Sequence, residues 1–186
     1  MSTLKQLVRR LGSADGAEIA EAALVLPLVF ALLLGIIWFG RAFNIYSTIQ
    51  QAAQQGAIAA AREQCATCTN GDAFPTPATV SSKVSAVMSA DSLDLSQVTA
   101  PANPPNCGPG QACAGCASPA AGSCAKVAVG TGSVYVCENV QLNPAATPAQ
   151  CGSVVSFQYP FSFNLLSLTS LGSVTMSAQA QSRMEN

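Results

Sequence analysis

Nineteen consecutive residues, Ala22 to Gly40, carry no charge, and an acidic residue, Glu21, stands immediately before them. A run of about 20 apolar residues crosses a bilayer as one helix. The stretch exceeds the roughly 7–15 apolar residues of an ordinary secretory signal. Trp38-Phe39-Gly40-Arg41 closes it where such a signal would carry a small-residue cleavage site. A transmembrane segment over about residues 22–40 is therefore expected, with a cleaved signal peptide and a plain uncleaved anchor as the alternatives. Pro27 inside the run is tolerable, because neighbouring groups in a membrane helix re-satisfy the carbonyl that proline frees. Glu21 is harder to place. A carboxylate costs about 2.5–3.5 kcal/mol near the centre of a membrane helix and less at its edge. A simple anchor has no use for it, whereas an element that meets a free amine on another subunit does.

The flanks give orientation. Lys5, Arg9 and Arg10 precede the run against Asp15, while Arg41 alone follows it. Positive charge stays on the cytoplasmic side, so the N-terminus is expected in the cytoplasm and the C-terminal body outside. Eight cysteines, Cys65, Cys68, Cys107, Cys113, Cys116, Cys124, Cys137 and Cys151, all follow the run. An even number of cysteines in an exported domain points to disulfides in an oxidising compartment. Connectivity is not readable, since eight cysteines allow about 105 pairings.

The Cys-x-x-Cys pairs Cys65/Cys68 and Cys113/Cys116 also invite zinc or dithiol chemistry. Their separation is far longer than the roughly 15–20 residues of paired zinc knuckles, and the chain has no histidine. No metal and no cofactor are expected. Without histidine there is no Ser-His or Cys-His nucleophile pair. Asp72, Asp91, Asp94, Glu138 and Glu185 are scattered along turns and strand ends, so an enzyme is not expected. A net charge of −1 offers no long-range attraction to a polyanion, which argues against nucleic acid as a partner.

Helical character continues beyond the apolar run. From Arg41 to about Gln64 there is no proline, and Ala and Gln, both good helix formers, dominate. Ala42, Tyr46, Ile49, Ala53, Ala57 and Ala60 recur at helical spacing as one stripe. A helix over 17–64 would extend ~70 Å at 1.5 Å per residue, more than the ~30 Å of bilayer hydrocarbon. Its outer half must lie against something. One partner is the protein's own domain; the other is a set of identical helices in a filament, where Ala52, Gly56 and Ala60 would allow close backbone approach.

Past a turn at Asn70-Gly71-Asp72, Thr76-Pro77 opens a short helix to about Ala90, with Val80, Val84, Val87 and Met88 inward. Leu93–Thr99 enters a first strand, and 100–123 is a long Pro/Gly/Cys loop. Strands follow over Cys124–Val129, Val134–Leu142, Val154–Phe161 and Val174–Met184, the first two joined by a turn at Gly130-Thr131-Gly132. The expected fold is α+β, a long N-terminal helix packed on a small antiparallel sheet.

The interval from Gly16 to Glu21 resembles the type IV pilin processing site, where a prepilin peptidase cuts after glycine and leaves glutamate fifth in the mature chain. Over about residues 16–62 the sequence is similar to TadE-like proteins, minor pilins or pseudopilins of the tight-adherence (Tad) pilus, with Ala22 where the family carries Phe or Tyr. Residues 174–185 resemble the family's closing strand. The resemblance implies a leader over 1–16, cleavage between Gly16 and Ala17, and pairing of Glu21 with the new Ala17 amine of a neighbouring subunit. It further implies a single-pass protein of the inner membrane whose exported domain spans 65–186, reaching the extracellular pilus. Its partners would be other major and minor pilins, the prepilin peptidase, the inner-membrane assembly platform and the lipid bilayer. Its role would lie in pilus initiation, priming or tip capping, and hence adhesion. A membrane-tethered envelope adhesin with a disulfide-stabilised binding domain is the alternative.

Overall fold

Good helix formers and an unbroken apolar stretch carry helix α1 from Ala14 to Ala61, through Pro27 without interruption. The computed structural model describes residues 14–62, 75–103, 122–143, 150–165 and 169–184. The chain forms two compact units, Met1–Phe43 and Asn44–Asn186, and α1 contributes to both.

Within the first unit the helix is clothed in large aliphatic and aromatic side chains. Leu24, Leu26, Leu28, Phe30, Leu32, Ile36, Ile37 and Phe39 are all exposed. The helix is long and apolar enough to cross a membrane, and none of its most apolar stretch is buried in the protein. At the end of the uncharged run the Arg41 guanidinium lies 5.9 Å from the centre of the Trp38 ring, within cation–π range and one turn along the helix.

In the second unit, α1 turns a different surface inward. Ile45, Thr48, Ile49, Ala52, Ala53, Gly56, Ala57 and Ala60 are buried, successive positions alternating three and one apart so that each has neighbours three or four residues away on one face. The expected stripe runs along this track through Ile49, Ala53, Ala57 and Ala60, but Tyr46 is exposed and Ala42 half-buried. Ile45 and Thr48 take the inward positions instead. Helix α2 spans Pro77–Ala90; Thr76 caps its N-terminus, its hydroxyl accepting from the Thr79 N–H at 3.4 Å. Val80, Val84 and Met88 are buried, as their spacing requires, and Val87 is half-buried.

The sheet is a meander of four antiparallel strands in the order β1-β2-β3-β4. β1 is Ser123–Val129, β2 Gly132–Asn143, β3 Gln150–Leu165 and β4 Thr169–Arg183. The turn between β1 and β2 falls at Gly130 and Thr131. Gly132 has a packing reason: a Cβ there would stand 2.4 Å from the Leu95 carbonyl oxygen and 2.5 Å from that of Val98. Ser153, Val155, Phe157, Tyr159 and Phe161 of β3 share the face turned to the helices, by alternation along the strand. The Ser153 hydroxyl donates to the Ala57 carbonyl at 2.8 Å and so ties that face to α1.

Leu93–Thr99 is not a strand. The Asp94 carboxylate accepts from the Ser96 N–H and hydroxyl and folds Leu95–Gln97 into one 3-10 turn. Only Thr99 pairs, exchanging both backbone hydrogen bonds with Gln158, where the β2–β3 pairing has ended at Ser156. Most of the expected loop over 100–123 lies outside the described residues, as do the turn at Asn70-Gly71-Asp72 and the carboxylates Asp72 and Glu185.

Candidate assembly helix and its braced domain

Gly16 and Ala17 lie in the first turn of α1, which begins at Ala14. Glu21 follows Ala17 by four residues, about one turn, and so occupies the same side of the helix. Its side chain is exposed, as is that of Glu18. The carboxylate thus sits at the mouth of the apolar surface described above, one helical turn from the position where cleavage would create an amine.

Ala52, Gly56 and Ala60 have a different setting from Glu21. All three are buried within the second unit. A Cβ on Gly56 would lie 2.7 Å from Val84 Cγ2 and 3.4 Å from both γ-carbons of Val155. At Gly56, therefore, α1 lies close against Val84 of α2 and Val155 of β3. Thr48 strengthens the same junction: its hydroxyl donates to Asp91 Oδ2 at the end of α2 and lies 3.1 Å from the Asn44 carbonyl.

Among the cysteines, Cys124 and Cys137 form a disulfide across β1 and β2, with Cα atoms 4.0 Å apart. They are directly opposite in the strand register, and Val154 is opposite Cys137 on β3. Cys151, in β3, is also disulfide-bonded. Cys65, Cys68, Cys107, Cys113 and Cys116 lie outside the described residues.

A bulge beside this disulfide was not readable in the strand pattern. Between the pairs Cys137↔Val154 and Val140↔Gly152, β2 has one more residue than β3. Asn139 absorbs it at φ 51, a left-handed conformation that Asn tolerates better than most residues. As a result Cys137 and Val140 join Val154 in one small cluster, flanked by Cys124 and Leu142. Glu138, inside the bulge, has a buried Oε1 with no hydrogen-bond partner. Desolvation pushes its carboxyl up to about 7. The sequence signal was the polar pair Glu138-Asn139 interrupting an otherwise apolar strand. Asp94 behaves in the opposite way, the Ser96 hydroxyl and N–H holding it below the usual carboxylate range. Among the described residues no three His, Cys, Asp or Glu side chains gather in a group that could hold a metal.

Residues 16–57 match the family model described as TadE-like protein. No curated protein and no solved structure matches the chain. The matched stretch is most of α1, covering both its apolar half and the greater part of its buried stripe; the sheet falls beyond it.

Proposed function

We propose that this chain, whose N-terminal helix is TadE-like and pilin-related, is a minor pilin of a Tad-type pilus that is processed between Gly16 and Ala17. TadE-like proteins are pilus components, which associates the chain with a Tad pilus and its membrane. The finer reading is that a prepilin peptidase removes 1–16 on the cytoplasmic side, α1 holds the product in the inner membrane, and the disulfide-braced sheet is displayed outside. The assembly platform then moves it into a pilus alongside other pilins, where it initiates, primes or caps the filament and supports adhesion.

One observation supports this reading above the rest: Glu21 stands exposed at the foot of α1, and among the described residues nothing buries the helix's most apolar stretch. A lone carboxylate at that depth is costly. A protonated Ala17 amine from a neighbouring subunit would offset that cost and fix axial register, because the charges attract strongly where water is scarce. The chain's own Ala17 is only about one turn away, so the same amine could also close on Glu21 before assembly. Exchange of that internal pair for an intersubunit one would conserve the electrostatic gain while adding helix contacts.

The test combines two measurements on protein recovered from its native envelope. Mass spectrometry of the assembled form should find Ala17 as the first residue; a chain retaining Met1 refutes the processing. Glu21→Ala should insert into the membrane normally yet be depleted from sheared pili by tenfold or more. Undiminished incorporation refutes the pairing.

A further inference from the structure

In the β3–β4 register Ser156 stands opposite Gln179 and Gln158 opposite Ser177. These four residues line a cleft of about 290 Å³ together with Gln50, Asn103 and the apolar Pro101, Phe157 and Ala178. The Gln50 amide donates to the Ser177 carbonyl at 3.3 Å, so the α1 side chain is fixed at the rim. From this arrangement we propose that the cleft is a binding site for a neutral, polyhydroxylated ligand, a single pyranose unit of a glycan.

The chemistry of the lining selects the class. Gln50, Asn103, Gln158 and Gln179 supply carboxamides, Ser156 and Ser177 hydroxyls, and no charged side chain lines the cleft. Each carboxamide presents two donors beside an acceptor, and each hydroxyl is both. Vicinal hydroxyls of a sugar, themselves donor and acceptor, satisfy such a surface in either sense. An anion or cation would lose hydration without meeting a countercharge, and an apolar ligand would strand the amides unpaired.

Ser156 is the second, independent sign. It is 4% exposed, and among the described residues its hydroxyl has no hydrogen-bond partner. Buried hydroxyls are nearly always satisfied, and one left open under a polar cleft is a group that a ligand hydroxyl or its bridging water completes. The volume lies at the small end of ligand sites, which run about 300–1,000 Å³, and suits one ring better than an extended oligosaccharide. This site is independent of the pilin reading, since none of its residues belongs to the membrane-spanning stretch or the processing site.

The test uses the full chain in a zwitterionic detergent without sugar headgroups. Saturation-transfer NMR is recorded against a panel of methyl pyranosides and N-acetylhexosamines, with glucuronate and glucosamine as charged counterparts. At least one neutral pyranoside should receive saturation and be displaced by its own excess, with the charged counterparts at least fivefold weaker. Gln158→Ala should weaken binding tenfold or more, and Asn103→Ala, on an exposed segment outside the sheet, provides the same readout without risk to folding. Absence of transfer to every neutral sugar overturns the proposal, as does equal binding by the Asn103→Ala variant and a folded Gln158→Ala variant. Preferential binding of the charged counterparts also overturns it.

Discussion

Gly56→Ala is the sharpest probe of how α1 is held in its domain. The new Cβ would stand 2.7 Å from Val84 Cγ2, closer than carbon atoms approach without displacement. Val84 is fully buried, so its methyl can retreat only by rotating into filled core or by moving α2. Overpacking of this kind costs about 1–3 kcal/mol. Alanine also stabilises a helix interior by about 0.8–1.0 kcal/mol relative to glycine, which acts in the opposite sense. The net expectation is destabilisation by about 0–2 kcal/mol, a fall in Tm of up to roughly 8 °C for a unit of this size. Thermal unfolding of the oxidised full chain in detergent, followed by near-ultraviolet dichroism, reads the unit Asn44–Asn186. Val84→Ala supplies the second arm of a cycle: removing the opposing methyls should absorb the new Cβ. Gly56→Ala/Val84→Ala should then be more stable than the sum of the single changes by at least about 1 kcal/mol. A Gly56→Ala variant that melts higher than the parent, or strict additivity in the cycle, would refute the close helix–helix contact.

Two further outcomes follow from the β1–β2 region. Glu138 has a folded pKa of about 7, above the ~4.3 of an unfolded glutamate, so between these values the folded state binds more protons. Stability is therefore fully present below about pH 4.3 and declines as pH rises to about 7; Glu138→Gln should remove the decline and raise the urea midpoint at pH 8 but not at pH 4, and a wild-type midpoint that climbs over this range contradicts the burial. The Cys124–Cys137 disulfide closes a short loop, with a sequence separation of 13, worth about 3 kcal/mol in chain entropy. Because the hairpin holds its own ends together, Cys124→Ala/Cys137→Ala should cost less, about 1–3 kcal/mol, measured as a lower urea midpoint under oxidising conditions; an unchanged midpoint would mean that the strand register needs no brace.

The sequence announced those elements whose cause is local. The uncharged run, the Thr76-Pro77 helix start and the Gly130 turn each carry their own signal, and α1, α2 and the β1–β2 hairpin appear where those signals stand. Contacts distant in sequence were the unreadable part. Leu93–Thr99 has the composition of a strand, yet the Asp94 carboxylate folds it into a turn, and the segment's one β-bridge is that of Thr99 with Gln158. The stripe on α1 was shifted because its period fits two neighbouring tracks equally well. Burial chose Ile45 over Tyr46, a choice that belongs to the sheet rather than to the helix. Spacing alone also left Ala52, Gly56 and Ala60 open to either partner, and it took the position of Val84 to place Gly56 inside its own fold. The Ser156–Gln179 and Gln158–Ser177 pairs were invisible for a further reason. Each residue reads alone as a solvated strand position, and only the β3–β4 register makes them one surface.

Side-chain size along α1 explains why one helix can serve two environments. From Leu24 to Phe43 most of its exposed residues are large and apolar, and from Ala52 to Ala60 its buried residues are Ala and Gly. Large side chains suit lipid, where favourable burial grows with apolar area, and they keep neighbouring backbones apart. Small ones suit contact with a sheet and a second helix, where the backbone must come close and few side-chain rotamers need be frozen. The TadE-like match at 16–57 crosses from the first regime well into the second and includes Gly56. A helix selected only for membrane anchorage would gain nothing from glycine at that position, where it costs about 1 kcal/mol relative to alanine. The residue is accounted for once the outer half of α1 packs as part of the second unit, against Val84 and Val155.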